Sequence, residues 1–416
     1  MKGPYALTIV APIDRARRAA LDAALAEVAA DLDGNRLVPF GALPTTHFAR
    51  FVILPPKTPD APELLVFESN HDGEPDEYLD HLARVAGAGL DAIFGCCVGW
   101  PAGGVADVDR YGAFMRAHRR PAAAFHMGYR GYAKASVRND LDVYAAVERW
   151  LDEAEPDRAK LAERAAHQLR ARIARDVAAA SPRLSLAPAG ASYRLFVIIL
   201  LAVPLGLVLF PTYAVLALLL RRRERRDKEE TVDDPPLPVD ELNALHAIED
   251  HVVQNQITHL ATIKEGRVRR FALRFALWAV NLLSRFLYNQ GHLGGITTIH
   301  FARWVILDDG RLLFLSNYDG SWESYLGEFV DRAHIGLTGV WSHTDGFPRT
   351  RWMICDGATD EEAFKRWTRR RQLPTQVWFS SYPESSIDNI RNAIAVREGL
   401  RAHLGEKECR AWLTRL

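Results

Sequence analysis

The sequence predicts an α+β protein: two copies of one strand–helix unit, packed face to face as a single intramolecular barrel, with a membrane-embedded helix or helical hairpin between them. Three observations predict it. HFARFVIL (47–54) recurs as HFARWVIL (300–307), and VFESNHDG (66–73) recurs as LFLSNYDG (313–320). GLDAIFGCCVGWP (89–101) aligns without a gap on GLTGVWSHTDGFP (336–348), at the same offset as the preceding pair. Between the copies, Leu195–Leu220 contains no charged residue and is closed by Arg194 on one side and Arg221, Arg222 and Arg223 on the other.

In chain order, YALTIVAPI (5–13) reads as a strand because β-branched and aromatic residues cluster there. Asp14 can cap an Ala-rich helix running to about Leu32. His47–Leu54 and Glu63–Asn70 read as strands around a proline-rich turn, and a helix follows from Pro75 to about Val85. Gly89–Pro101 supplies an expected fourth strand, so the order is βαββαβ, the split-βαβ or ferredoxin-like arrangement. A helix near Val108–His118, a strand at Ala122–Tyr129 and a helix at Val137–Leu151 extend it. The second half repeats this order, down to RRPAAAFHMGY (119–129) against QLPTQVWFSSY (372–382). The expected boundaries are residues 1–155 for the first repeat, 156–192 for an amphipathic helix and linker, 193–226 for the anchor, 227–242 for a second linker and 243–416 for the second repeat.

Each repeat makes an open sheet with helices on one face, and the bare face needs a cover. Two such sheets packed together supply it. This tandem arrangement resembles the dimeric α+β barrels of the dye-decolorizing peroxidase and chlorite dismutase superfamily, through the duplicated order and the Asp-Gly pairs at 72–73 and 319–320. The resemblance implies haem, peroxide-dependent oxidation and a distal role for Asp319. The leading glycine of that family's motif is replaced here by Ser69 and Ser316.

Strand alternation places His47 with Ala49 on one face and Phe48 with Arg50 on the other, and separates His300 from Arg303 in the same way. His47 and His300 are candidate cofactor ligands inside the barrel, since neutral imidazole binds metal well. His343 and Asp345 replace Cys96 and Val98 of the first repeat; on a strand they would share a face, where a carboxylate can orient an imidazole. His343 is therefore the first candidate iron ligand and His300 the second. Asp319, Arg303 and Asp345 are the candidate catalytic groups. Each of these has a structural alternative: backbone-satisfied core histidines, and Asx turns or helix caps at Asp72 and Asp319.

Fifty-two basic and fifty-two acidic residues give zero formal net charge, which argues against a nucleic-acid partner. The four cysteines have neither a disulfide-framework nor a zinc spacing, and reduced thiols on the cytoplasmic face of a membrane account for them. No phosphate loop, nucleophile elbow or His-Glu-x-x-His pattern is present. RRFALRFALWAVNLLSRFLY (269–288) reads either as a helix in the membrane interface or as one buried against the sheet. Pro204, Gly206 and Pro211 interrupt the apolar run. A single span would place the repeats on opposite sides of a bilayer, so a one-leaflet hairpin with arms of about 13 Å, at ~1.5 Å rise per residue, is preferred. The expected partners are membrane lipids and a hydrophobic small molecule. The alternative to a peroxidase is a non-catalytic anchored module that holds such a ligand or serves a membrane partner as a scaffold.

Overall fold

A computed structural model describes residues 4–157, 165–178, 214–230, 235–286 and 293–416. Two four-stranded antiparallel sheets form its centre. The first half contributes β1 (Tyr5–Pro12), α1 (Arg18–Ala30), β2 (Thr46–Leu54), β3 (Leu64–His71), α2 (Pro75–Phe94), α3 (Val108–His118), β4 (Ala124–Met127) and α4 (Lys134–Ala154). Then come α5 (Ala166–Ala178), a helix over 214–224 (α6) and α7 (Val239–His246). The second half follows with β5 (Gln254–Thr262), α8 (Arg267–Phe286), β6 (Ile299–Ile306), β7 (Arg311–Asp319) and α9 (Trp322–Trp341). The chain closes with a small β8–β9 ribbon (Thr350–Arg351, Cys355–Asp356), α10 (Glu361–Arg369), β10 (Val377–Ser380), α11 (Ile387–Arg401) and α12 (Glu406–Leu413).

Each sheet takes its last strand from the other half. The orders are β1-β3-β2-β10 and β4-β6-β7-β5. Phe51 is opposite Val377 of β10, while Trp304 is opposite Ala124 of β4. Isolated bridges Ile9–Arg119 and His259–Gln372 lie where the exchanging segments leave one sheet for the other. The ladders remain two separate sheets and do not close into a barrel. α4 and α11, which follow the exchanged strands, pack together and share an apolar layer with α5 and α12 through Val143, Val147, Ile173, Val396 and Trp412.

The expected fourth strand is absent from both halves. Gly89–Phe94 continues α2 past a kink at Ala86, and Gly336–Trp341 is the last part of α9. A short apolar run is compatible with either element, and here helix length resolves it: the run extends a helix already begun rather than starting a strand. The alternation in β2 and β6 is also interrupted. Register shifts fall between Thr46 and Phe48 and between Ile299 and Phe301, so His47 and His300 are the extra residues of two β-bulges. The expected hairpin at 195–220 lies largely outside the described residues. None of the described helices is long and apolar enough to cross a membrane.

Apolar side chains fill both faces of each sheet. Leu21, Leu25, Phe51, Phe67, Leu90 and Phe94 join the first sheet to its helices, and Leu273, Leu277, Trp304, Phe314, Phe329 and Trp341 do so for the second. Val52, Val66, Val305 and Leu313 meet between the sheets.

Candidate functional site

Between the sheets, the bulges bring six polar side chains together. His47 Nε2 lies 3.1 Å from Asp72 Oδ1, and His300 Nε2 lies 2.7 Å from Asp319 Oδ1. His47 Nδ1 is 2.6 Å from the hydroxyl of Tyr382, which is also bonded to the hydroxyl of Tyr129. Burial holds both phenols well above their ordinary pKa. The second oxygen of each aspartate accepts a backbone N–H at the start of a distant helix, Lys134 of α4 at 2.8 Å and Ile387 of α11 at 2.7 Å. Asp72 and Asp319 are thus helix caps, but of helices that start 62 and 68 residues further on. The cluster is symmetric in composition and asymmetric in bonding. His300 Nδ1 has no hydrogen-bond partner among the described residues, because Tyr129 turns to Tyr382.

A second buried cluster crosses the same interface. Arg50 reaches from the first sheet to Gln256, to the Ile257 carbonyl, to the Ser316 carbonyl and to Asn317. Arg303 reaches back to the Leu7 carbonyl, Thr8, the Ser69 carbonyl and Asn70. Glu68 lies between them, 2.7 Å from Arg50 Nε and 2.6 Å from Arg303 Nη2. Burial lowers the pKa of both arginines, that of Arg303 to about 10, and Glu68 opposes the shift. Arg303 is therefore committed to a structural contact between the sheets.

His343 and Asp345 do not share a strand face. Both sit in the turn after α9, and their backbones bond to Lys264 and Thr262 respectively. His343 is 3% exposed, its Nδ1 has no partner among the described residues, and burial beside Arg269 and Lys264 lowers its pKa to about 3. Burial raises the Asp345 carboxyl above the usual range, against the pull of Lys264 and Arg371. His259 is packed against Trp341 and Trp367, and His334 bonds the carbonyl one helical turn before it.

The candidate haem ligands His47, His300 and His343 are all buried, and several of their ring nitrogens are engaged. Both nitrogens of His47, and Nε2 of His300, are taken by protein groups. His343 is enclosed beside two cations, which oppose a bound metal ion. None of the three lines a described cavity. Among the described residues no group of three His, Cys, Asp or Glu side chains could hold a metal.

The outer layer of the second half is different in character. α8 turns Leu273 and Leu277 into the core, while Phe271, Phe275 and Trp278 are each at least half exposed on the opposite side. Those three recur at helical spacing beside exposed Arg267, Arg270 and Arg274. One face of this helix is therefore buried against the sheet, as one of its two readings expected, and the other face is open. α6 carries exposed Val215, Leu218 and Leu219, and ends at Glu224. Glu224 accepts bonds from Thr350 and from the Trp352 and Met353 amides, and it pairs with Arg221. Burial alone would raise its pKa, but these donors outweigh it and hold the carboxyl below the usual range. Asp227 then ties Lys264 and Arg269, which brings the end of α6 to the start of α8.

Sequence reasoning missed Tyr129, Tyr382 and Glu68. The tyrosines were visible as an aligned pair in the repeat, and Glu68 as a departure from it, aligned with Leu315. Comparison with protein-family models, curated proteins and solved structures finds no match to the chain.

Proposed function

We propose that this chain is a non-catalytic, membrane-surface module: two copies of one ferredoxin-like unit, joined by an apolar anchor, with the outer layer of the second copy laid against lipid. The observation that carries the reading is the outward face of α8, where Phe271, Phe275 and Trp278 stand exposed beside Arg267, Arg270 and Arg274. A helix with aromatic groups on one strip and arginines along its edge suits the boundary between headgroups and acyl chains, with Trp278 at headgroup depth. Exposed Arg222, Arg223, Arg225 and Arg226 at the end of α6 add positive charge beside the same layer. Four free cysteines suit the reducing, cytoplasmic side. The buried His, Asp, Tyr, Arg and Glu side chains support a structural role, because their hydrogen bonds join the halves to one another.

The test uses the full chain with Cys355→Ser and Phe275→Cys, labelled with nitrobenzoxadiazole. Vesicles of phosphatidylcholine with a minority of phosphatidylglycerol are expected to shift its emission to the blue. Phe271→Ser, Phe275→Ser and Trp278→Ser together remove three apolar groups worth roughly 1.5–3 kcal/mol each when buried, and so weaken vesicle binding about tenfold or more. Emission that stays water-like in vesicle-bound protein rejects the reading.

A further inference from the structure

The duplication provides an internal control for a basic pocket on the second half. In the first half, Arg18 opens α1 and is held by two carboxylates. Its Nε lies 3.0 Å from Asp22 Oδ1, one helical turn further on, and its Nη1 reaches Glu63 in the turn before β3. The second half replaces both acids. Buried Leu21 of α1 corresponds to buried Leu273 of α8, so Arg270 and Arg274 stand where Arg18 and Asp22 do. The Ile13 N–H bonds the Glu63 carbonyl just as the Ile263 N–H bonds the Gly310 carbonyl, so Gly310 stands where Glu63 does. One cation held by two anions has become two cations with neither.

Arg270, Arg274 and Gly310 line one pocket of about 500 Å³, between the start of α8, the β6–β7 turn and the segment that leads into β4. Its wall is apolar at Ile263, Ile306 and Leu307. Asp308, the one carboxylate among the lining residues, is taken by Arg120 at 2.6 Å. Neither the Arg270 nor the Arg274 guanidinium has a hydrogen bond or ion pair among the described residues. Like charges one turn apart repel, and the start of a helix already carries partial positive charge. α8 has no acidic residue in its first turn to offset either effect. An anion held between the two arginines offsets both.

We infer that this pocket binds the phosphate of an anionic lipid. Arg270 and Arg274 donate to its oxygens, in place of the carboxylates that hold Arg18, and the carbons next to the phosphate lie against Ile263, Ile306 and Leu307. The planar fork of guanidinium matches phosphate oxygens two at a time. The inference rests on the membrane reading only for the source of the phosphate: the two arginines alternate with exposed Phe271 and Phe275 along α8.

The test is calorimetry on the full chain with dihexanoylphosphatidic acid, kept below its micelle concentration, and with glycerol 3-phosphate. Wild type is expected to bind the lipid about tenfold more tightly than glycerol 3-phosphate, from partial burial of its chains. Arg274→Asp restores the acid of the first copy; it is expected to weaken lipid binding about tenfold or more and to leave the melting temperature unchanged or higher. Arg84→Asp, the same charge change at an exposed position of α2, leaves binding as in wild type. Absence of lipid binding to wild type overturns the proposal, as does binding that survives Arg274→Asp or falls equally with Arg84→Asp. Glycerol 3-phosphate bound as tightly as the lipid overturns the lipid source in favour of a free phosphate ester. The Phe271/Phe275/Trp278 serine variant separates the two readings: it loses vesicles but keeps dihexanoylphosphatidic acid, so failure of either is seen without the other.

Discussion

Glu68 is the one carboxylate between two guanidinium groups, each of which crosses from its own sheet to the other. An anion taken out of this position leaves two buried cations without the carboxylate that pairs them. Glu68→Gln is therefore expected to destabilise the fold by about 3–5 kcal/mol, read from urea unfolding. Replacing Arg50, Glu68 and Arg303 together by Met, Leu and Met is expected to recover most of that loss, since a well-packed apolar trio carries no desolvation cost. Recovery below half would mean that the arginines' bonds to Gln256, Asn317, Thr8 and Asn70 hold the interface as much as the ion pairs do. Glu68 stood in the repeat as an unmatched residue aligned with Leu315, but its partners belong to a tertiary contact that no local pattern encodes.

At the scale of elements, the bulges and the remote caps govern the arrangement. Alternation along HFAR puts the histidine and arginine on opposite faces, and one inserted residue in each strand undoes that inference. Capping at Asp72 and Asp319 was legible as chemistry; which helix each one caps was not, because α4 and α11 arrive from far along the chain. Asp319→Ala is expected to cost roughly 0.5–2 kcal/mol, as other lost caps do, and to speed amide exchange in the first turn of α11. Faster exchange at the start of α9, the helix next in sequence, with α11 unchanged, would contradict this assignment. The apparent fourth strand shows the opposite failure. GLDAIF and GLTGVW are apolar enough for either element, and only the preceding helical turns determine which forms.

For the whole molecule, strand exchange makes the halves interdependent. Without β10 the first sheet has a bare β2 edge, and without β4 the second has a bare β6 edge. Residues 1–157 expressed alone are expected to aggregate or remain unfolded. Co-expressed with residues 235–416 they are expected to give a soluble one-to-one complex, measured by light scattering. A folded, monomeric 1–157 fragment would show that β10 is dispensable.

The sequence by itself determined the duplication, the α+β class, most helices and the apolar character of α8, because repeats, periodicity and composition are local properties of a chain. Tertiary structure alone decided which strand completes which sheet, that Arg303 serves an interface, and that His47, His300 and His343 are enclosed. These follow from which surfaces meet, and aligned residues of two repeats carry no record of what packs against each copy.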